Sequence, residues 1–343
     1  MRHLVTGGSG FLGDLICRHL FSEGYEVING DIWHDSTQPS QIIFRQCDVT
    51  DRQQVRAAMQ GVDVVHHNAA LVPLTKSSNR FWDVNVRGSQ IVAEEAKRAG
   101  VKYFIHMSSS AIFGLPKECP ITHETPTSPI EIYGRGKLAG ELAVKHSLEN
   151  SDTKLIIIRP RTILGGSRLG IFQVLFEWIK ENRNVYVIGS GNVNFQFIHA
   201  VDLMDFYMRA MKMGHAGTYN VGTDRFGTLR EALEGVILHA GSKSKVVSLP
   251  ERFSISALKT LDFFKLSPLA PWHYLTYHKA FYFDVSPLFN LGWKAQYSND
   301  EMFKESYDFF LKSDCGVSKQ LLAQSIHRKP VKQRILKILK KFS

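Results

Sequence analysis

Tyr133 and Lys137 stand four residues apart in the stretch Tyr-Gly-Arg-Gly-Lys at 133–137. On a helix that spacing puts both side chains on one face. An ammonium beside a phenol stabilises the phenolate, so the tyrosine can exchange protons nearer neutral pH. A serine cluster, Ser108-Ser109-Ser110, lies upstream at the end of an apolar run, Tyr103–Met107. A hydroxyl there can hydrogen-bond the same reacting oxygen that the tyrosine deprotonates. Taken alone, a tyrosine and a lysine at this spacing are commonplace on exposed helices. Their meaning depends on the elements that hold them.

The N-terminal run supplies the first of those elements. Val5-Thr6-Gly7-Gly8-Ser9-Gly10-Phe11-Leu12-Gly13 follows a strand-like segment and opens a helical one. Glycines at 7, 10 and 13 let backbone N–H groups approach a pyrophosphate, which a helix N-terminus also attracts. Asp31 ends the next strand candidate. A carboxylate there accepts from both hydroxyls of an adenosine ribose and repels a 2′-phosphate, which favours NAD over NADP.

Strand candidates are His3–Val5, Glu26–Asn29, Ile42–Gln46, Val62–His66, Tyr103–Met107 and Leu155–Arg159. Helical patterns at Phe11–Glu23, Arg52–Ala58 and Phe81–Ala99 alternate with them. This alternation predicts an α/β fold, a Rossmann-type doubly wound parallel sheet. Beyond Arg159 the pattern loosens. Helices are expected at Ile171–Lys180, Val201–Lys212, Thr228–Ala240 and Asn299–Leu311, with a strand at Val185–Ile188. The expected organisation is a dinucleotide-binding and catalytic core over 1–160, a smaller interleaved substrate lobe over 161–312, and a tail over 313–343.

With these motifs in order, the sequence resembles the extended short-chain dehydrogenase/reductase family in its NAD-dependent epimerase/dehydratase branch. The resemblance spans roughly residues 1–312 and rests on TGGSGFLG at 6–13, CDVTD at 47–51, HHNAA at 66–70, VNVRG at 84–88, SSSAIFG at 108–114, YGRGK at 133–137, IIIRP at 156–160 and FIHAVDL at 197–203. It implies Ser109 as the catalytic hydroxyl, with Ser110 as the alternative, beside Tyr133 and Lys137. It also implies an NAD site formed by Gly7, Gly10, Phe11, Leu12, Gly13 and Asp31. Asp48 and Val49 would border the adenine, and Asn68, Ala69 and Ala70 would lie along the cofactor. Asn85 would stand near the active site, Lys137 would also hold the nicotinamide ribose, and Arg159-Pro160 would precede the stretch beside the nicotinamide. Tyr133 would take a hydroxyl proton as hydride leaves the same carbon, and return it in the reverse direction. An intact Ser109/Tyr133/Lys137 set argues against a catalytically silent NAD-binding scaffold.

Two substrate classes follow. The leading one is a sugar, nucleotide-linked, turned over by an epimerase or dehydratase that retains NAD. Sugar-nucleotide members of this branch usually grip the diphosphate with an asparagine and two arginines, and here the pattern departs. Thr162 stands at the asparagine position and Phe195 at one arginine, while no arginine aligns within Ala270–Asp284. Arg161, Arg168 and Lys279 are the nearby substitutes. The second class is an apolar alcohol, because the aromatic stretch at 266–283 resembles the C-terminal part of 3β-hydroxysteroid dehydrogenase-like members. An ordinary hydrophobic lobe would read the same way.

Composition narrows the remaining classes. The chain has 343 residues, 42 Lys and Arg against 32 Asp and Glu, and 44% hydrophobic residues. Eight of the basic residues and no acidic one lie between Gly316 and Ser343, so the remainder carries 34 against 32, or +2. The basicity belongs to the tail, and a nucleic-acid-binding surface is not expected. Within the tail, Val331, Ile335, Ile338 and Phe342 share one helical face bordered by lysines, a pattern suited to weak contact with an anionic membrane. A solvated tail and a helix packed on a partner are the plainer alternatives, and a homodimer is a further expected partnership. The four cysteines show no paired spacing, and His66, His67, His106, His199 and His273 show no metal-ligand pattern, so no metal is expected. No apolar run is long enough to span a bilayer. With Met1 running straight into the glycine motif, a cytoplasmic enzyme is expected, peripheral at the membrane if the tail binds lipid.

Overall fold

The computed structural model describes residues 1–72, 78–165, 169–264, 267, 269 and 271–312. The tail and Arg168 therefore lie outside the described residues. In chain order the elements are β1 (Arg2–Thr6), α1 (Phe11–Ser22), β2 (Glu26–Asp31), β3 (Ile43–Gln46), α2 (Arg52–Ala58), β4 (Val64–His67), α3 (Ser78–Trp82), α4 (Ser89–Arg98), β5 (Tyr103–Met107), α5 (Ile132–Ser147) and β6 (Lys154–Pro160). They continue with β7 (Thr162–Leu164), α6 (Phe172–Lys180), β8 (Val185–Ile188), β9 (Phe197–His199), α7 (Ala200–Met213), β10 (Gly217–Val221), α8 (Leu229–His239), β11 (Val246–Leu249), α9 (Glu251–Phe263), α10 (Pro271–Thr276), α11 (Ser286–Phe289) and α12 (Asn299–Lys312).

The chain forms two compact units. The first comprises Met1–Phe113, Ile132–Pro160 and Leu203–Asn220, and the second Gly114–Glu131, Arg161–Asp202 and the chain from Val221 onward. The first unit is built on a seven-stranded sheet in the order β10-β6-β5-β4-β1-β2-β3. The pairings from β3 across to β6 are parallel. Parallel strands are covered on both faces, so their side chains are apolar without alternation. Leu4, Ile28, Val65 and Phe104 are accordingly buried with Val92, Ala96 and Val144 of α4 and α5. The order reverses direction at β1, where β4 and β2 leave on opposite sides. Ligands of doubly wound sheets bind outside the carboxyl ends of the strands at such a point.

The expected strands are present, with β4 shifted to end at His67. Three expectations change. The predicted helix over Phe81–Ala99 is interrupted by a π-helical stretch at Asp83–Gly88. The stretch is closely packed: a Cβ on Gly88 would meet Val49 Cγ2 at 2.7 Å, and one on Gly140 of α5 would meet the Asn85 carbonyl oxygen at 2.1 Å. The strand β10, unforeseen in the sequence, is the seventh strand of the sheet. In the second unit two small parallel pairs, β11 with β8 and β7 with β9, join strands of three or four residues. Of these, β8 was expected, and the other three are too short for a periodic signal.

Candidate active site

The glycine loop is built to leave backbone exposed to a ligand. Gly7 has φ +69, a conformation that disfavours any side chain. A Cβ on Gly13 would lie 2.1 Å from the Gly7 carbonyl oxygen, and one on Gly8 would lie 2.3 Å from Asn29 Oδ1. Gly10 is the N-cap of α1, and no side chain caps the helix. The positive end of the α1 dipole therefore points at the glycine loop, which suits an anion. The Asp31 carboxylate, at the end of β2, accepts from the N–H of Ser9 at 3.0 Å and from its neighbour Ile32 at 2.7 Å. Burial pushes its pKa up, against the pull of the N–H groups of Ser9, Ile32 and Trp33. Ser9 thus ties the glycine loop to the Asp31 carboxylate, a link the sequence reading missed.

The next positions lie in the same unit. Asp48 accepts from the Thr50 N–H and hydroxyl at 2.9 and 2.7 Å, which shapes the turn after β3. Val49 is buried. Asn68, Ala69 and Ala70 follow β4 and are half-buried. A Cβ on Gly7 would meet the Ala69 backbone at 2.9 Å, so the glycine loop and the β4 loop touch. The Asn85 side chain spans the Leu71 backbone, accepting from its N–H at 2.8 Å and donating to its carbonyl at 3.1 Å. Its amide braces the loop after β4.

The Ser109, Tyr133 and Lys137 positions fall at the end of β5 and the start of α5. Ser109 is half-buried, and its Oγ accepts from the Ala111 N–H at 3.2 Å. Ser110 is 3% exposed in the short 3₁₀ turn Ser110–Phe113. Tyr133 is half-buried in the first turn of α5. Lys137 is buried one turn later and donates from Nζ to the Met107 carbonyl. Burial lowers its pKa from 10.5 to about 8, with the Glu141 charge pulling the other way.

Arg159 has a structural partner that the sequence reading did not name. The resemblance places it just before the stretch beside the nicotinamide, and its guanidinium forms a buried pair with Glu141, at 3.0 Å from Nε and 2.5 Å from Nη2. Ser108 donates to the same carboxylate at 2.8 Å and Lys145 at 3.0 Å. Burial would raise the Glu141 pKa, but the Arg159 bonds and charge outweigh it and hold the carboxyl below its ordinary value. Pro160 ends β6 directly after this pair. Glu141 and Ser108 thus fasten α5 to the ends of β5 and β6. The signal was present, because a lone arginine in the apolar run IIIRP needs a buried partner.

His66 and His67 do face opposite sides of β4. His66 bonds Tyr207 and His3 at 2.7 and 2.9 Å, whereas His67 bonds Thr6 and Ser89 at 2.8 and 2.9 Å. Burial pushes the His67 pKa down to about 3. Among the described residues no group of three metal-ligating side chains comes together.

In the second unit Arg161 is 1% exposed. Its guanidinium lies over the Phe281 ring at 4.0 Å and the Phe195 ring at 4.9 Å, and Nε donates to the Gln196 carbonyl at 3.0 Å. Lys279 is exposed and paired with Glu251 at 2.9 Å. Of the three suggested phosphate substitutes, one is enclosed in the core and one is ion-paired. The aromatic stretch is also core, with Trp272, Tyr274, Phe281 and Phe283 all buried.

Residues 3–222 match the model of the NAD-dependent epimerase/dehydratase family. The chain belongs to this family. It is 40% identical, over 98% of its length and 85% of the other chain, to the uncharacterised protein y4nG of Sinorhizobium fredii. It is 33% identical to the UDP-glucose 4-epimerase of Streptomyces lividans, over 73% of this chain and 84% of that one. In fold it matches the UDP-glucose 4-epimerase of Thermotoga maritima, solved with UDP-glucose, with a TM-score of 0.75 at 23% identity over 91% and 99% of the two chains. The protein is an NAD-dependent enzyme of the short-chain dehydrogenase/reductase type. The cofactor requirement fits its own residues: the glycine cradle excludes side chains from the space beside an uncapped helix, and a carboxylate closes β2. Like other family members, it moves hydride between a secondary alcohol carbon and NAD.

Proposed function

We propose that this enzyme oxidises one hydroxyl of a nucleotide-linked sugar and reduces the same carbon again, as a 4-epimerase does, with NAD kept through the cycle. The reading rests chiefly on Lys137: a buried ammonium, clamped to the Met107 carbonyl and four residues after Tyr133 on one helix. The named activity of the Streptomyces lividans relative supports the substrate class.

NAD, when bound, supplies the hydride acceptor and afterwards the hydride donor. Gly7, Gly10, Phe11, Leu12 and Gly13 would hold its pyrophosphate and Asp31 its adenosine ribose. Asp48, Val49, Asn68, Ala69 and Ala70 would line its course. Tyr133 Oη takes the hydroxyl proton as the C–H bond breaks, leaving a ketone, and returns it to the alkoxide oxygen when the C–H bond re-forms. Lys137 keeps the phenolate charge-balanced and orders the nicotinamide ribose. Ser109 donates to the reacting oxygen. Asn85, Arg159 and Glu141 act at one remove by fixing the loop after β4 and the helix α5.

The apolar-alcohol reading drew on aromatic residues that pack in the core, so nothing particular favours it. Incubation with a panel of nucleotide sugars and sterols separates the two. An epimerase interconverts a sugar pair with net NADH near zero, whereas a dehydrogenase makes NADH in proportion to product. The latter outcome, or turnover of sterols alone, removes the proposal. Homodimer formation and weak tethering of the 313–343 tail to anionic membrane complete it. Sedimentation velocity tests the first, and vesicle co-sedimentation with and without residues 316–343 tests the second.

A further inference from the structure

We propose that the outward face of α9 is a second membrane-contact element that seats on an anionic lipid bilayer. It is independent of the tail. The helix buries only Ser254, while Phe253 is 75% exposed, Phe263 82% and Phe264, its C-cap, 63%. Three phenyl rings in water on one short helix call for an occupant.

The distribution of charge identifies it. At 100° per residue, Phe253, Ala257, Thr260 and Phe264 fall within about 60° of one another, away from the packed side. Ala257 and Thr260 are exposed as well, so this strip is smooth and uncharged along the helix. Arg252 and Lys259, both exposed, border it on the same flank as Phe263. The two acids of the helix lie on the far side and are occupied there. Glu251 pairs with Lys279 at 2.9 Å and approaches His278 at 3.5 Å, and Asp262 is hydrogen-bonded to Tyr274. The surface offered outward is therefore aromatic, edged on one side by cations and free of its own helix's carboxylates. An interfacial helix needs this arrangement, with rings entering the acyl boundary and cations meeting lipid phosphates. A protein partner of neutral or basic surface would gain nothing from the flanking cations. An enzyme held this way would work on substrate delivered at a membrane surface.

The test uses the full chain with Phe253→Trp, mixed with vesicles whose acyl chains carry bromine. The reading is the extra quenching over the parent protein. Quenching is expected with phosphatidylglycerol-containing vesicles, falling as salt rises, and absent with phosphatidylcholine alone. In parallel, Phe253→Ser/Phe263→Ser/Phe264→Ser in the full chain should lower binding to the anionic vesicles by at least about ten-fold. NAD affinity should stay unchanged, which also reports that the variant folds. Absence of quenching at position 253 while the protein still sediments with anionic vesicles would assign all binding to the tail and overturn the proposal. So would a triple variant that binds vesicles as the parent does but loses a self-associated state in sedimentation velocity, because α9 would then be a protein interface.

Discussion

Replacing Glu141 with Gln tests whether the buried charge cluster, rather than helix packing alone, fixes the catalytic helix. The Glu141 carboxylate is 0% exposed and receives two bonds from Arg159, one from Ser108 and one from Lys145. The Arg159 side chain is only 9% exposed, so removing its partner leaves a cation in a poorly solvated site. Breaking a buried pair from one side costs about 3–5 kcal/mol, whereas replacing both partners with apolar groups is near neutral. Glu141→Gln, Glu141→Leu and Arg159→Met should each fall near that range, and Glu141→Leu/Arg159→Met should recover most of the loss. Urea unfolding with linear extrapolation, assembled as a double-mutant cycle, measures the coupling. Single variants that lose less than about 1 kcal/mol, or a strictly additive double variant, would refute the argument.

The same substitution reaches the chemistry through Lys137. Burial lowers that pKa from 10.5 to about 8, and the Glu141 charge is what opposes the fall. Without it, Lys137 gives up its proton at lower pH and the phenolate loses its counter-charge sooner. The alkaline limb of the kcat profile should then move to lower pH by roughly half a unit or more. A purely structural brace would lower kcat equally at all pH values.

Three further outcomes are expected. Asp31 should make NAD bind more tightly than NADP, and Asp31→Ala should narrow the gap, as read by fluorescence titration of both; equal affinities in the parent would contradict the assignment. Tyr133→Phe should cost about 10²–10⁴-fold in turnover while leaving NAD affinity nearly unchanged, and retention of a tenth of the activity would remove the proton-carrier role. Lys137→Met should stabilise the fold at pH 7 by up to about 3 kcal/mol, less the lost Met107 bond. The folded lysine binds its proton more weakly than the unfolded one, so the parent gains stability as pH rises from about 8 to 10.5 and the variant's advantage vanishes across that window; a pH-independent difference in urea midpoints would contradict it.

What could be read from sequence was local in the chain. The glycine loop is legible because its demands are backbone demands: Gly7 at φ +69 and Gly13 against a carbonyl oxygen admit nothing larger. The Tyr133/Lys137 pair is legible because one helical turn fixes it. Glu141 stands one further turn along α5, yet its partner Arg159 is 18 residues away on β6. Only the order of strands in the sheet brings them together, and motif matching alone therefore did not reveal the pair. The π-helical stretch at Asp83–Gly88 escaped for a related reason. It is packed through Gly88 under Val49 and Gly140 against Asn85, contacts between elements far apart in sequence. Arg161 shows the limit most directly. Beside a threonine that replaces a phosphate-binding asparagine it reads as a substitute donor, and its charge invites that reading. The rings that enclose it come from positions 195 and 281, where the sequence shows only aromatic residues of unknown destination. Its pKa, lowered by burial to about 9, is set by that enclosure. If this family member does grip a diphosphate, the grip must come from side chains other than the enclosed Arg161 and the ion-paired Lys279. A nucleotide sugar turned over by an Arg161→Leu variant with unchanged KM would be the direct sign of that.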